Sequence, residues 1–314
     1  MFINSTGYYI PTERVPNDYF ALLNDLSEEW YLKRTGISTR ARASDKETLN
    51  FMSIEAVKDA VRNLPYDIKD VDLIIFASYT PSDTIGTTAH VIQREFRINN
   101  ARALHVSSAC SSAVNAMEII KSFFDTKISS KALLVCADKN STYSNDKDQQ
   151  SGHLWGDAAV ALFFSAEPYA AKEATLLDIF CQGLGHVGYG PEAVMLNPKK
   201  GLQMPYGKDV FTQACFYMTQ LTDTIIKKNG YSVSDLSYFI GHQANKRILT
   251  HVCTELGIPG DKSLTNVEEL GNTGCVSAPL VLAQNYDKFE TDDLLCLTVF
   301  GGGYSSGTCL LKIT

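Results

Sequence analysis

The chain has 314 residues, of which 45% are hydrophobic and 20% charged, and its formal net charge is −7. This balance is typical of a globular protein with a substantial core, and the negative charge argues against nucleic acid as a main partner. No apolar run approaches the roughly 20 residues of a membrane-spanning helix, and the N-terminus lacks the pattern of a secretory signal. We therefore expect a cytoplasmic protein with no membrane partner.

Eight cysteines are scattered along the chain without a C-x-x-C pair. This pattern favours reduced thiols over a disulfide framework or a zinc site. The six histidines have no partners at metal-ligand spacing, so we expect no metal.

Helix-like and strand-like segments occur twice in the same order. In the first half a helical pattern over 50–64 precedes an apolar run over 71–78, a helix over 89–96, a loop of small residues with Cys110, and a strand over 131–138. In the second half the corresponding segments cover 214–230, 236–243, 245–256, a loop with Asn272, and 293–300. The distance from Cys110 to the next strand equals that from Asn272 to its strand. We interpret this as two copies of one α/β unit.

The strand-like runs are apolar without alternation, which predicts mainly parallel sheets buried on both faces. In such sheets the chemistry gathers at the carboxyl ends of the strands. Cys110, His242, Asn272 and the glycines of the segment FGGGYSSG (300–307) all follow strands. We expect these loops to meet.

Cys110 lies among small residues, directly before an apolar pattern of helical spacing. A helix N-terminus offers unpaired N–H groups and the positive end of a dipole, both of which favour the reactive thiolate. The alternative is a buried thiol that acts only as a small hydrophobic residue. The residues around Cys110 do not decide between the two.

His242 and Asn272 have structural alternatives as well, since a histidine after a strand can be a core residue and asparagine is a common turn former. The segment GLGHVG (183–188) matches a dinucleotide fingerprint only formally, because no helix follows it. The triple glycine of 301–303 predicts a tight turn between strands where another backbone approaches closely. A cysteine, a histidine and an asparagine at equivalent loops point to acyl-thioester chemistry.

Seven motifs in chain order resemble the β-ketoacyl-acyl-carrier-protein synthase III family of thiolase-superfamily condensing enzymes. They are GYYIPTERVPN (7–17), EEWYLKRTGI (28–37), SSACSSAV (107–114), WGDAAVA (155–161), GHQANKRI (241–248), LGNTGCVSAP (270–279) and FGGGYSSG (300–307). The resemblance implies a thiolase-like five-layer αβαβα fold with two pseudo-symmetric halves, 1–165 with the cysteine and 166–314 with the histidine and asparagine. It also implies a homodimer.

The resemblance implies a role for each matching residue. Cys110 takes an acyl primer from a thioester, and His242 and Asn272 donate to the thioester oxygen of malonyl-acyl-carrier protein as it loses carbon dioxide. The backbone N–H groups of Cys110 and Gly302 form the oxyanion hole. No cofactor is implied beyond the phosphopantetheine of the substrates, acyl carrier protein and coenzyme A.

The remaining implied sites concern binding. Trp30 and Arg34 correspond to the entrance for the pantetheine arm. Lys246 and Arg247, extended by Lys227 and Lys228, correspond to the basic patch that receives the carrier protein. Trp155 and Ile85 correspond to the acyl pocket, Ile85 through the partner subunit.

The sequence departs from the family pattern at Gln149, where an arginine is usual, and at Trp155 and Ile85, where phenylalanines are common. The sequence therefore leaves open which primer is used and whether coenzyme A or a carrier protein delivers it. It also leaves open whether the pathway is fatty acid synthesis or specialised lipid or polyketide synthesis. Two alternatives are an acyltransferase to oxygen or nitrogen and a non-catalytic subunit that binds carrier proteins. The retained His242 and Asn272 argue against the first, and the retained Cys110 against the second.

Overall fold

The computed structural model describes all 314 residues, in thirteen strands and nine α-helices. The strands are β1 (Phe2–Tyr9), β2 (Glu13–Pro16), β3 (Thr39–Arg42), β4 (Leu73–Ala77), β5 (Arg102–Val106), β6 (Lys131–Lys139), β7 (Asp157–Ser165), β8 (Ala174–Gly183), β9 (Met195–Asn197), β10 (Gly201–Gln203), β11 (Tyr238–Gly241), β12 (Leu294–Gly301) and β13 (Ser305–Ile313). The helices are α1 (Asn17–Asn24), α2 (Glu28–Thr35), α3 (Leu49–Val61), α4 (Thr88–Glu95), α5 (Ser112–Asp125), α6 (Gly207–Lys228), α7 (Lys246–Leu256), α8 (Val267–Leu270) and α9 (Ser277–Asn285). Each helix is too short or too polar to cross a bilayer.

Two helix boundaries near His242 fall at residues whose chemistry favours them. The side chain of Asn245 caps α7 by accepting from the backbone N–H of Arg247 at 2.9 Å, within the segment predicted to be helical. Helix α6 ends at Lys228, and Gly230 adopts the left-handed conformation with φ +79°. These boundaries place His242 between β11 and the start of α7.

Nine strands form one sheet in the order β11-β12-β13-β8-β1-β7-β6-β4-β5. The pairings at both edges of the sheet are parallel. Strand β11 pairs with β12 at one edge, and β4 pairs with both β5 and β6 at the other. From each edge the next pairings are antiparallel, and the two series meet where β1 pairs with β8. Both halves of the chain therefore run from parallel to antiparallel pairings, and the first half has one more parallel strand than the second.

The prediction of mainly parallel strands is met in the outer parts of the sheet and corrected at its middle. Strands β1, β7, β8 and β13 join antiparallel neighbours there. Strands β7 and β13 are nearly as buried as the parallel strands because helices cover both of their faces, so burial does not reveal their direction.

The helices complete the five-layer αβαβα arrangement expected from the resemblance. Helices α5 and α9 each contact strands from both halves, which makes them the central layer. Helix α3 covers the first-half strands on the outside, and α6 with α7 covers the second-half strands. The boundary proposed between 165 and 166 falls in the loop after β7, and the division of the chain into these two halves stays a prediction.

Candidate active site

Cys110 lies on a tight turn between β5 and α5. The residue before it, Ala109, has a left-handed backbone with φ +50°, a conformation that costs about 1–3 kcal/mol outside glycine and that clusters at functional sites. The carbonyl of Ser108 accepts the Ser111 hydroxyl at 2.7 Å, and the carbonyl of Ala109 accepts the Ser112 hydroxyl at 2.6 Å. The serines after the cysteine therefore hold the strained turn in place.

The turn between β12 and β13 packs directly against this cysteine. A Cβ atom on Gly301 would lie 2.8 Å from the backbone nitrogen of Cys110, so only glycine allows the approach. The hydroxyls of Ser111 and Ser305 are 2.6 Å apart and join the two turns. The backbone N–H groups of Cys110 and Gly302 both lower the pKa of the Cys110 thiol, so the two turns bring them to the same side chain. The close approach predicted for the triple glycine is thereby confirmed.

His242 follows β11 and is 4% exposed. Its Nδ1 lies 2.7 Å from the hydroxyl of Ser277, and that oxygen also accepts the backbone N–H of Gln243 at 3.2 Å. The Ser277 hydroxyl has no other acceptor for its own proton among its hydrogen-bond partners, so we assign that proton to the bond with Nδ1. Burial lowers the pKa of His242 to about 4, so the ring is neutral. The arrangement gives a neutral imidazole with its proton on Nε2.

Asn272 is 3% exposed and is oriented by its own loop. Its Oδ1 accepts the backbone N–H of Gly274 at 3.0 Å, and its backbone N–H donates to Leu154 at 2.7 Å. Because Oδ1 is already used, the two N–H donors of the amide are left for a ligand. His242 and Asn272 thus present hydrogen-bond donors of the same kind.

One cavity of about 580 Å³ brings the three side chains together. Cys110, His242 and Asn272 all line it, and so do Arg34 and Arg247, both of which are exposed. The cavity therefore connects the surface with the cysteine. A second cavity of about 360 Å³ shares Cys110 and Trp155 with the first.

The electrostatics of Cys110 differ from the expectation that a helix terminus would favour the thiolate. Burial, and after it the negative charge of Asp138, raises the pKa of Cys110 to about 12. Backbone N–H groups of Cys110 and Gly302 lower it in part. Helix α5 begins two residues after the cysteine. The positive end of its dipole does not lower the pKa of the thiol enough to offset the rise caused by the loss of water around the sulfur.

The predicted binding residues fall into two groups. Trp30 and Arg34 lie on successive turns of α2, with the guanidinium of Arg34 4.6 Å from the centre of the Trp30 ring. Trp155 is 4% exposed and lines both cavities. Ile85 is 86% exposed and lies outside both cavities of its own chain.

The basic patch is narrower than the sequence implied. The ammonium group of Lys246 is paired with Glu268 at 2.5 Å, and those of Lys227 and Lys228 are paired with Asp223 and Asp178. Arg247 instead lies over the ring of Phe211, at 5.3 Å, without an acidic partner. The ammonium group of Lys246 is paired with a neighbour, and its role in carrier-protein binding stays a prediction, whereas Arg34 and Arg247 line the cavity without an acidic partner.

Sequence reasoning missed three residues around the site. Ser277 orients His242, the fully buried Asp138 accepts from the loop that carries Tyr79, and Tyr79 lines the smaller cavity. The only signal in the sequence was a polar residue inside an apolar segment, as at Asp138.

The comparisons with known proteins cover the same segments. Residues 104–185 match the family model for 3-oxoacyl-[acyl-carrier-protein] synthase III, and residues 226–313 match the model for its C-terminal part. The β-ketoacyl-[acyl-carrier-protein] synthase III of Ehrlichia ruminantium (strain Gardel) is 31% identical over 98% of this chain and 97% of its own length. The chain belongs to the synthase III family.

Solved structures agree with this assignment to the synthase III family. The 3-oxoacyl-[acyl-carrier-protein] synthase III from Aquifex aeolicus VF5 superimposes with a TM-score of 0.92 and 29% identity, and the match covers 99% of each chain. The priming β-ketosynthase from the R1128 polyketide pathway superimposes with a TM-score of 0.89 and 25% identity, over 99% of this chain and 95% of its own. The thiolase-like fold predicted from the motifs is confirmed.

Proposed function

We propose that the protein catalyses the decarboxylative Claisen condensation of an acyl primer, bound to Cys110, with malonyl-acyl-carrier protein. The product is a β-ketoacyl-carrier protein, made at the start of fatty acid synthesis or of a related lipid or polyketide pathway. The observation that carries the proposal is the meeting of Cys110 with two oriented donors, on His242 and Asn272, in one cavity open to the surface.

In the first half-reaction the sulfur of Cys110 attacks the carbonyl carbon of the primer thioester. The negative charge that develops on the carbonyl oxygen is held by the N–H groups of Cys110 and Gly302, and removal of one such donor typically costs about 10²–10³ in rate. The carbon–sulfur bond of the donor then breaks. The proton lost by the Cys110 thiol ends on the departing thiol, so the exchange needs no external proton.

In the second half-reaction the malonyl group gives up carbon dioxide, and the electrons of the broken carbon–carbon bond form an enolate. Its oxygen lies between Nε2–H of His242 and the amide N–H of Asn272, which stabilise the charge as it appears. The enolate carbon attacks the acyl carbonyl, the bond to Cys110 breaks, and the released sulfur takes up a proton. Decarboxylation supplies the carbanion, and no catalytic base is required.

The mouth of the cavity supports a phosphopantetheine-carrying partner. Arg34 and Arg247 line it and carry charge that attracts phosphate and the acidic surface of a carrier protein. The indole of Trp30, beside Arg34, offers a stacking surface for the adenine of coenzyme A. Gln149 donates to the backbone of Asn24 at 3.1 Å and does not line this cavity.

A homodimer in the cytoplasm belongs to the same proposal. Strand β5 lies at the edge of the nine-stranded sheet and leaves one row of backbone groups unpaired. The exposed Ile85 lies in the loop between β4 and α4, which flank the same edge. Pairing of two β5 strands would cover this edge and bring Ile85 toward the partner's acyl pocket.

Transfer of the acyl group to an oxygen or nitrogen acceptor is less well supported, because such a reaction has no use for two donors aimed at a malonyl oxygen. The test is intact-mass analysis after mixing the protein with acyl-coenzyme A and acyl-carrier donors, with Cys110→Ala alongside. We expect an adduct that requires Cys110 and disappears as a β-ketoacyl product when malonyl-carrier protein is added. Condensation by Cys110→Ala at the wild-type rate would overturn the proposal, and an adduct that never condenses would favour the acyltransferase.

A further inference from the structure

The smaller cavity lies next to Cys110 and differs in character from the larger one. Eight of the twelve residues that line it are hydrophobic, among them Trp155, Val194, Leu196 and Leu202. Neither arginine of the larger cavity reaches it. An acyl group on the sulfur of Cys110 can therefore occupy the smaller cavity, separate from the path of the pantetheine arm.

Tyr79 is a bulky side chain in the wall of this cavity, which Cys110 also lines. Its hydroxyl donates to Oδ1 of Asn140 at 2.7 Å, and Tyr79 is among the neighbours that act on the pKa of Cys110. Nδ2 of Asn140 donates to the carbonyl of Gly156 at 2.7 Å, which orients the amide. The ring of Tyr79 thus stands beside the position of the first carbons of a Cys110-bound acyl group.

The buried carboxylate of Asp138 holds the backbone of Tyr79 in place through hydrogen bonds. Oδ1 of Asp138 accepts the backbone N–H of Tyr79 at 3.1 Å and the hydroxyls of Ser78 and Thr80 at 2.9 Å each. Its Oδ2 accepts the backbone N–H of Cys275 at 2.8 Å. The same carboxylate therefore joins the Tyr79 loop to the loop that carries Asn272.

Gly274 shows how closely the phenol packs against that second loop. A Cβ atom on Gly274 would lie 2.6 Å from the Tyr79 hydroxyl oxygen and 2.9 Å from its Cε1. The ring therefore has backbone on one side and the cysteine on the other. It cannot move away from a bulky acyl group without disturbing Asn272.

We propose that Tyr79 is a specificity-determining residue that selects primers unbranched at the carbons next to the thioester. The inference rests on the proposed function, since it assumes that Cys110 carries the primer. An extra methyl group beside the fixed ring is an overpacked contact, which typically costs 1–3 kcal/mol. Wild-type protein should consequently prefer a straight acyl group to its branched isomer by about 5- to 150-fold.

The experiment compares isomeric donors, butyryl- with isobutyryl-coenzyme A and valeryl- with isovaleryl-coenzyme A, by the initial rate of the Cys110 adduct in intact-mass analysis. Isomers have the same atoms, so their rate ratio isolates shape from hydrophobicity. We expect Tyr79→Ala to bring the ratio to within about threefold of unity, because the ring no longer limits the space. Tyr79→Phe is the matched control, which keeps the ring and should keep the wild-type ratio.

A ratio near unity in the wild type, or an unchanged ratio in Tyr79→Ala, would overturn the inference. Tyr79→Leu, checked by circular dichroism, replaces Tyr79→Ala if the latter does not fold. Failure of the proposed function is distinguishable, because an adduct that never condenses still gives the ratio of isomers, and only a lack of thioester adduct from every donor would leave that ratio unmeasured. In that event straight and branched alkyl methanethiosulfonates, with Cys110→Ala as background, still measure whether Tyr79 restricts groups attached to the sulfur.

Discussion

Ser277→Ala tests how His242 becomes a hydrogen-bond donor. Ser277 is 1% exposed, and its hydroxyl is the partner of Nδ1 at 2.7 Å. Without it, Nδ1 has no hydrogen-bond partner, a loss that costs about 1–3 kcal/mol and no longer holds the proton on Nε2. If that cost is expressed in full in the transition state of condensation, it corresponds to a reduction of about 5- to 150-fold in rate.

The condensation step should therefore slow by about 10- to 100-fold, below the 10²–10³ typical for complete loss of an oxyanion donor. The assay is a single turnover in which protein already acylated on Cys110 is mixed with malonyl-carrier protein and quenched. Only the second half-reaction contributes to this rate. Acylation is completed beforehand, and its rate is measured separately.

A double-mutant cycle with His242→Ala decides whether Ser277 acts through the histidine. If it does, Ser277→Ala has no further effect in the His242→Ala background. An equal loss in both backgrounds would mean that the substitution disturbs the site in another way. A wild-type rate for Ser277→Ala alone would refute the assignment of the proton to Nε2.

Three further predictions follow from burial and charge. Burial, and then Asp138, raises the pKa of Cys110 to about 12. The rate of its alkylation by iodoacetamide should therefore rise about tenfold per pH unit from about pH 7 to about 9.5. A rate that stops rising below about pH 8 would contradict this. Burial, and then the positive charges of Arg40 and Arg34, lowers the pKa of His153 from 6.5 to about 3. Unfolded chains therefore bind a proton that folded chains exclude, and stability falls as pH falls from 6.5 toward 3. By urea unfolding at about pH 7 and about pH 4.5, His153→Gln should lose about 2.5 kcal/mol less stability than wild type, and equal losses would refute the burial argument. Arg247→Glu should raise KM for malonyl-carrier protein about 3- to 10-fold. Lys246→Gln should change this KM less than about twofold, because the charge of Lys246 is already paired with Glu268. Equal effects of the two substitutions would show that the pair does not screen Lys246.

The sequence predicted features that are determined locally. The apolar spacing over 50–64 indicated α3, Asn245 indicated the start of α7, and the strand-then-small-residue pattern placed Cys110, His242 and Asn272 in loops that meet. Each of these depends on residues within a few positions of one another. The periodicity of side chains carries that information.

Features that depend on contacts between distant segments were not predictable. The partner of His242 is 35 positions away, and the partner of the Tyr79 backbone is 59 positions away. The raised pKa of Cys110 follows from burial by the whole fold, which a helix-terminus argument does not include. Lys246 was expected to be a free charge because nothing in its own segment announces Glu268.

The most direct test of decarboxylative condensation uses malonyl-carrier protein whose free carboxyl carbon is labelled. Protein acylated on Cys110 is mixed with the labelled substrate, and released carbon dioxide and carrier-bound product are counted together. Decarboxylative condensation predicts one labelled carbon dioxide for each β-ketoacyl-carrier protein formed, and the loss of both signals in Cys110→Ala. Loss of the acyl group from Cys110 to another acceptor, without release of label, would contradict decarboxylative condensation.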